Sequence, residues 1–143
     1  KLYIFFLYAG WELRYTKENC QKGEYPMLFV CYPKCTTCQK AQKWLDETGA
    51  AYTVRNIKED NPTRAELEQW HQRSGLPLKR FFNTSGLQYK ALGLKDKLPE
   101  ISQEEQLDLL ATDGMLVKRP ILVGDDVVLV GFRQAEWEAA LKG

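Results

Sequence analysis

Met27-Leu28-Phe29-Val30-Cys31-Tyr32-Pro33-Lys34-Cys35-Thr36-Thr37-Cys38 is an apolar run that ends in a Cys-x-x-Cys pair, and Gln39 to Glu47 follows with helix-forming residues. Residues 27–32 read as a short buried strand, so Cys35 falls where a strand hands over to a helix. Backbone N–H groups at a helix start lack intrahelical partners and the helix dipole is positive there, which favours a thiolate over a thiol. Because the thiolate is the nucleophile, this placement predicts a reactive Cys35. Cys38, one turn later, is set to attack any mixed disulfide that Cys35 forms. The chemistry expected is thiol–disulfide exchange.

Beyond this stretch, Ala51-Tyr52-Thr53-Val54-Arg55-Asn56-Ile57 is rich in β-branched and aromatic residues and predicts a second strand. Asn61-Pro62 breaks the chain, and Thr63-Arg64-Ala65-Glu66 has the spacing of a capping box opening a helix to Ser74. Gly75 ends that helix, and residues 78–98 read as short helical pieces broken at Gly86 and Gly93. Ser102-Gln103-Glu104-Glu105 is a second capping box, opening a helix with Leu107, Leu110 and Ala111 as apolar positions. The period then changes. Pro120-Ile121-Leu122-Val123 and Val127-Val128-Leu129-Val130, joined by Gly124-Asp125-Asp126, read as a hairpin, and Arg133 to Leu141 as a last helix. The order βαβ, helical insertion, ββα predicts an α/β, thioredoxin-like fold: a four-stranded mixed sheet with helices on both faces.

At 143 residues the chain is long enough for one domain with a real core. The net charge is +1, and from Met27 onward 16 basic residues balance 16 acidic ones. That balance argues against direct nucleic-acid binding, which draws on a basic excess. A Cys-x-x-Cys beside a strand–helix pattern points to a reducing compartment, so a cytoplasmic protein is expected. Residues 1–26 read as foreign to the rest. Leu2 to Ala9 is apolar but shorter than the ~20 residues that span a bilayer, and no small-residue cleavage site follows it. We expect Met27 to be the natural start and residues 1–26 to be an upstream extension read through in frame, the alternative being a genuine extension that adds an edge strand. Lys22-Gly23-Glu24, encodable by a purine-rich run resembling a ribosome-binding site, fits that expectation. The domain is then 27–143.

Residues 27–143 resemble the arsenate reductase (ArsC)/Spx family of thioredoxin-like proteins. The resemblance is carried by the Tyr32-Pro33-Lys34-Cys35-Thr36-Thr37-Cys38 loop, the helical insertion, and Lys118-Arg119-Pro120-Ile121 before the hairpin. It implies a nucleophilic Cys35 and anion-contacting arginines at Arg80, Arg119 and Arg133. It also implies a cis-proline at Pro120 beside the active cysteine. Arginines suit that role because they are permanently cationic, lower a nearby thiol's pKa and grip oxyanions through paired hydrogen bonds. Glutaredoxin-linked arsenate reductases carry a histidine and an asparagine where this chain has Cys31 and Tyr32, and a serine where it has Cys38. General thiol–disulfide exchange is therefore favoured over arsenate reduction.

The resemblance implies reducing power from glutathione, glutaredoxin or thioredoxin, with no tightly bound cofactor and no metal. A monomer is expected. The alternative from another class is a redox switch: Spx-type regulators carry the same Cys-x-x-Cys and bind the α-subunit of RNA polymerase. Cys31, Cys35 and Cys38 together have the C-x₃-C-x₂-C spacing of radical-enzyme iron–sulfur loops, but Cys31 lies within a strand and reads as core. Three neighbouring cysteines also fall short of a four-ligand zinc site. His71 reads as a residue of its helix without a catalytic partner, Trp44, Trp70 and Trp137 as packing residues, and Glu104-Glu105 as part of a cap.

Overall fold

β1 (Met27–Cys31) is apolar throughout because both of its faces are covered. The computed structural model describes residues 26–142; the expected extension, apart from Pro26, lies outside the described residues. In β1 the side chains alternate as strand geometry requires. Phe29 and Cys31 pack with α1 (Thr36–Thr48), while Leu28 and Val30 pack beneath the insertion. α1 buries Cys38, Ala41, Trp44 and Leu45, one face of a helix at i, i+3, i+6 and i+7.

The strand order is β2-β1-β3-β4, with β2 (Tyr52–Asn56) parallel to β1. β3 (Ile121–Val123) runs antiparallel to β1 and to β4 (Val128–Val130). This is the mixed four-stranded sheet expected. β3 begins one residue later than the apolar run because Pro120 has no N–H to donate; its carbonyl accepts from Gly131 at 2.8 Å instead. The last helix, α6 (Gln134–Lys142), likewise starts one residue after the expected Arg133, which precedes the helix and whose carbonyl accepts from the Trp137 N–H at 3.0 Å.

The insertion comprises α2 (Arg64–Ser74), a 3-10 turn at Leu78–Phe81, α3 (Leu87–Ala91), α4 (Leu94–Lys97) and α5 (Gln103–Leu110). Both capping boxes form: Thr63 Oγ1 accepts from Glu66 N–H, and Ser102 Oγ from Glu105 N–H. Two ties bring this layer against the hairpin end of the sheet. Lys118 N–H donates to Phe81 O and Asn83 N–H to Leu116 O, each at 2.8 Å, flanking a bridge between Phe82 and Val117. Gly114, just upstream, passes so close to the end of β2 that a Cβ there would stand 1.7 Å from the Ile57 carbonyl oxygen. Any side chain at 114 would push the two segments apart.

Candidate active site

Cys35 is the N-cap of α1, with extended backbone (φ −91°, ψ 122°) and no acidic residue in the helix's first turn. Its N–H donates to Tyr32 O at 3.0 Å, which closes the Tyr32–Cys35 turn, and Gln39 Nε2 braces the same turn through Pro33 O at 2.9 Å. Cys38 lies one turn further on and is 2% exposed, whereas Cys35 is half-buried and reaches a cleft. The Cys38 sulfur accepts from the Tyr32 N–H at 3.4 Å. The two thiols are thus one turn apart in sequence but differ sharply in access to solvent.

Their acidities differ in the same sense. Burial opposes ionisation of Cys35, but the Cys38 N–H, the Cys38 thiol and the Arg119 guanidinium outweigh it, leaving Cys35 below an ordinary thiol's pKa. Burial pushes Cys38 up to about 12, against the Tyr32 N–H and with the help of negative charge on Cys35. Cys31 is also raised, by burial first and by Cys35's charge second. One thiol of these three is therefore favoured as an anion.

The cleft above Cys35 holds about 440 Å³. Arg80, Asn83, Ser85 and Gly86 of the insertion line one side, and Lys118, Arg119, Gly131, Phe132 and Arg133 line the other. Among the described residues, four cations and no carboxylate face this space. Arg133 has an ion pair outside it, with Glu136 at 3.4 Å. Arg119 is different: its Nε and Nη1 are buried without a hydrogen-bond partner, and its Cζ lies 5.3 Å from the centroid of the Tyr32 ring. The aromatic face offsets part of the desolvation of the cation, and the guanidinium hydrogen-bonds to the Cys35 sulfur whose charge it favours. The Arg119–Pro120 peptide is cis. Gly131, at φ 75°, turns the chain into the cleft wall from the end of β4.

Such an arrangement can hold a small anionic compound against a thiolate, and 440 Å³ accommodates something larger than a bare oxyanion. The ArsC family model matches residues 31–140. The chain belongs to the ArsC family. An ArsC family-related protein from Bacteroides fragilis is 56% identical, with a TM-score of 0.79 over 81% of this chain and 98% of that one. The uncharacterised protein YusI of Bacillus subtilis is 49% identical over 112 residues, 78% of this chain and 95% of its own length. The global transcriptional regulator Spx of Staphylococcus epidermidis is 30% identical over 105 residues, 73% of this chain and 78% of its own.

Of the residues singled out in this ArsC-family sequence, Cys35, Arg80, Arg119 and Arg133 line one cleft, and Cys38 sits directly behind Cys35. Sequence reasoning missed Lys118, Asn83 and Ser85 in the lining and Tyr32 beneath Arg119. Lys118 stood next to Arg119 in the quoted motif, so adjacency was a usable signal; the others arrive only through tertiary contacts. His71 packs edge-on against Phe81 with ring centroids 5.9 Å apart, away from the cleft lining. Among the described residues, no group of three or more His, Cys, Asp or Glu is arranged to hold a metal ion. No described helix is long and apolar enough to cross a membrane.

Proposed function

We propose that the protein is a thiol–disulfide oxidoreductase in which Cys35 attacks a sulfur or arsenic centre of an anionic substrate and Cys38 resolves the adduct. The observation that carries this reading is the pairing of a depressed Cys35 with a buried, raised Cys38 under a cleft lined by four cations. Arg119, with Arg80 and Arg133, holds the thiolate and the anionic substrate. When Cys35 becomes part of a mixed disulfide its charge disappears, and with it one of the forces that keep Cys38 protonated. Adduct formation therefore primes the resolving thiol. Cys38 then attacks Cys35's sulfur and the substrate leaves reduced, with a Cys35–Cys38 disulfide behind it. Glutathione, glutaredoxin or thioredoxin returns the dithiol. The test is NADPH-coupled turnover with these donors, offered arsenate and a model disulfide in parallel. Turnover lost in Cys35→Ser, with an adduct trapped on Cys35 in Cys38→Ser, is the expected result; turnover unaffected by Cys35→Ser removes the reading.

The 30% identity to a transcriptional regulator keeps a second reading in play, a redox switch that docks on the α-subunit of RNA polymerase. It uses the same disulfide without turnover. Association with the C-terminal domain of the host's polymerase α-subunit that changes between redox states is its signature, and no association in either state eliminates it.

A further inference from the structure

We propose that Cys31 is a third redox thiol, and that the disulfide first formed between Cys35 and Cys38 moves inward to Cys31–Cys38, leaving Cys35 free. This rests on the oxidoreductase reading above for the first disulfide. Cys31 ends β1 on the face that meets α1, and it shares one buried cluster with Cys38, Ala41 and Trp44. The Cys38 sulfur is 3.4 Å from the Tyr32 nitrogen. That nitrogen is about 2.4 Å from the Cys31 Cα across one peptide link, so sulfur and Cα stand at most about 6 Å apart. The Cys38 sulfur therefore lies within side-chain reach of Cys31, and because both side chains share one buried cluster between β1 and α1, side-chain rotation on a strand and helix already in contact is the motion required. Cys38 is also influenced by charge on both Cys35 and Cys31, which places the three sulfurs within electrostatic reach of one another.

The exchange consumes no outside oxidant. Cys31 gives its thiol proton to solvent, its sulfur attacks the Cys38 sulfur, the Cys35–Cys38 bond breaks, and Cys35 leaves with the electron pair as a thiolate. The direction follows from where that charge is best held. A Cys35–Cys38 bridge sacrifices the anion that Arg119 stabilises, and a Cys31–Cys38 bridge restores it while consuming two thiols that burial keeps protonated. The oxidised protein then stores its oxidising equivalent in the core and presents a reduced, reactive Cys35 to the cleft.

Trypsin distinguishes the two bridges directly, because it cuts after Lys34 and Lys40. A Cys35–Cys38 bridge closes a loop within the peptide 35–40. A Cys31–Cys38 bridge cross-links that peptide to the peptide 23–34. The full chain is oxidised with diamide, equilibrated across a pH series, acid-quenched, labelled with N-ethylmaleimide under denaturing conditions and mapped by mass spectrometry. The expected result is the cross-link with Cys35 labelled. Its ratio to the loop should rise with pH through Cys35's ionisation, reaching about tenfold its acid-side value one unit above the midpoint. A loop with Cys31 labelled at every pH overturns the inference and leaves the oxidoreductase reading intact. A Cys31–Cys35 link also overturns it. No disulfide among the three cysteines overturns both.

Discussion

The face of the sheet under α1 and α6 is sealed by one aromatic cluster, whereas the opposite face packs through Trp70, Phe81, Phe82 and many leucines under short helical pieces that caps and ion pairs also join. On the first, Trp137 meets Phe132, Trp44 and Phe29 edge-on at 4.9, 6.2 and 6.5 Å between centroids, and its Nε1 donates to Gly131 O at 2.9 Å. On the second, Arg64 joins α2 to α5 through Asp108 at 2.6 Å and through Glu104, and Arg55 ties β2 to Glu66 at 2.8 Å. The sealed face supplies Cys31 and Cys38; the tied face supplies Arg80, Asn83 and Ser85. Arg119 stands at the seam. Under the proposed function, the groups that set thiol acidity and the insertion residues that complete the cleft lie on different faces and are separable by substitution.

The largest effect expected is on turnover: Cys35→Ser loses at least about 10³-fold with an unchanged thermal midpoint. Next comes stability on the sealed face. Trp137→Ala should cost about 3–5 kcal/mol in a urea titration, because it empties a fully buried aromatic site; a loss under ~1 kcal/mol would break the contrast between the faces. At the seam, Arg119→Gln removes the cation that joins the Cys38 N–H and thiol in lowering Cys35. Alkylation follows the thiolate and so rises with pH through the midpoint; the half-rise moves to higher pH, and the rate at neutral pH falls. On the two sides of the cleft, Arg80→Ala with Lys118→Ala should raise KM by about fivefold and leave the alkylation profile in place, since the leading causes of Cys35's shift are burial, Cys38 and Arg119. A profile that moves with these two would undo that separation. Smallest is Ser102→Ala, about 1 kcal/mol from the loss of one cap, read from the same urea titration.

Local signals carried most of the architecture. β1, α1, both capping boxes and the hairpin were legible because hydrophobic period, cap chemistry and turn residues act within a few residues of each other. Boundaries slipped by one residue at Pro120 and Arg133, where a missing donor and a cap, rather than hydropathy, set the end of the element. In the site, cysteine spacing and the Arg-Pro pair named Cys35, Cys38 and Arg119. Tyr32 under Arg119 joins residues 87 positions apart, and Asn83 reaches the cleft through a hydrogen bond to Leu116. Neither pairing leaves a mark in nearby sequence, so neither could be read before the fold was known.

The register of β1 against β3 has a consequence for the order of events as the chain is made. Leu28 pairs with Val123, Phe29 with Leu122 and Val30 with Ile121, each pair more than 90 residues apart. Contacts of that span form late, because the intervening chain must first be gathered. A nascent chain therefore displays its Cys-x-x-Cys long before Arg119 can dock beside it, and until then only the start of α1 and Cys38 act to lower Cys35. The closing of the sheet completes the activation: strands that arrive late bring Arg119 to a cysteine made long before it.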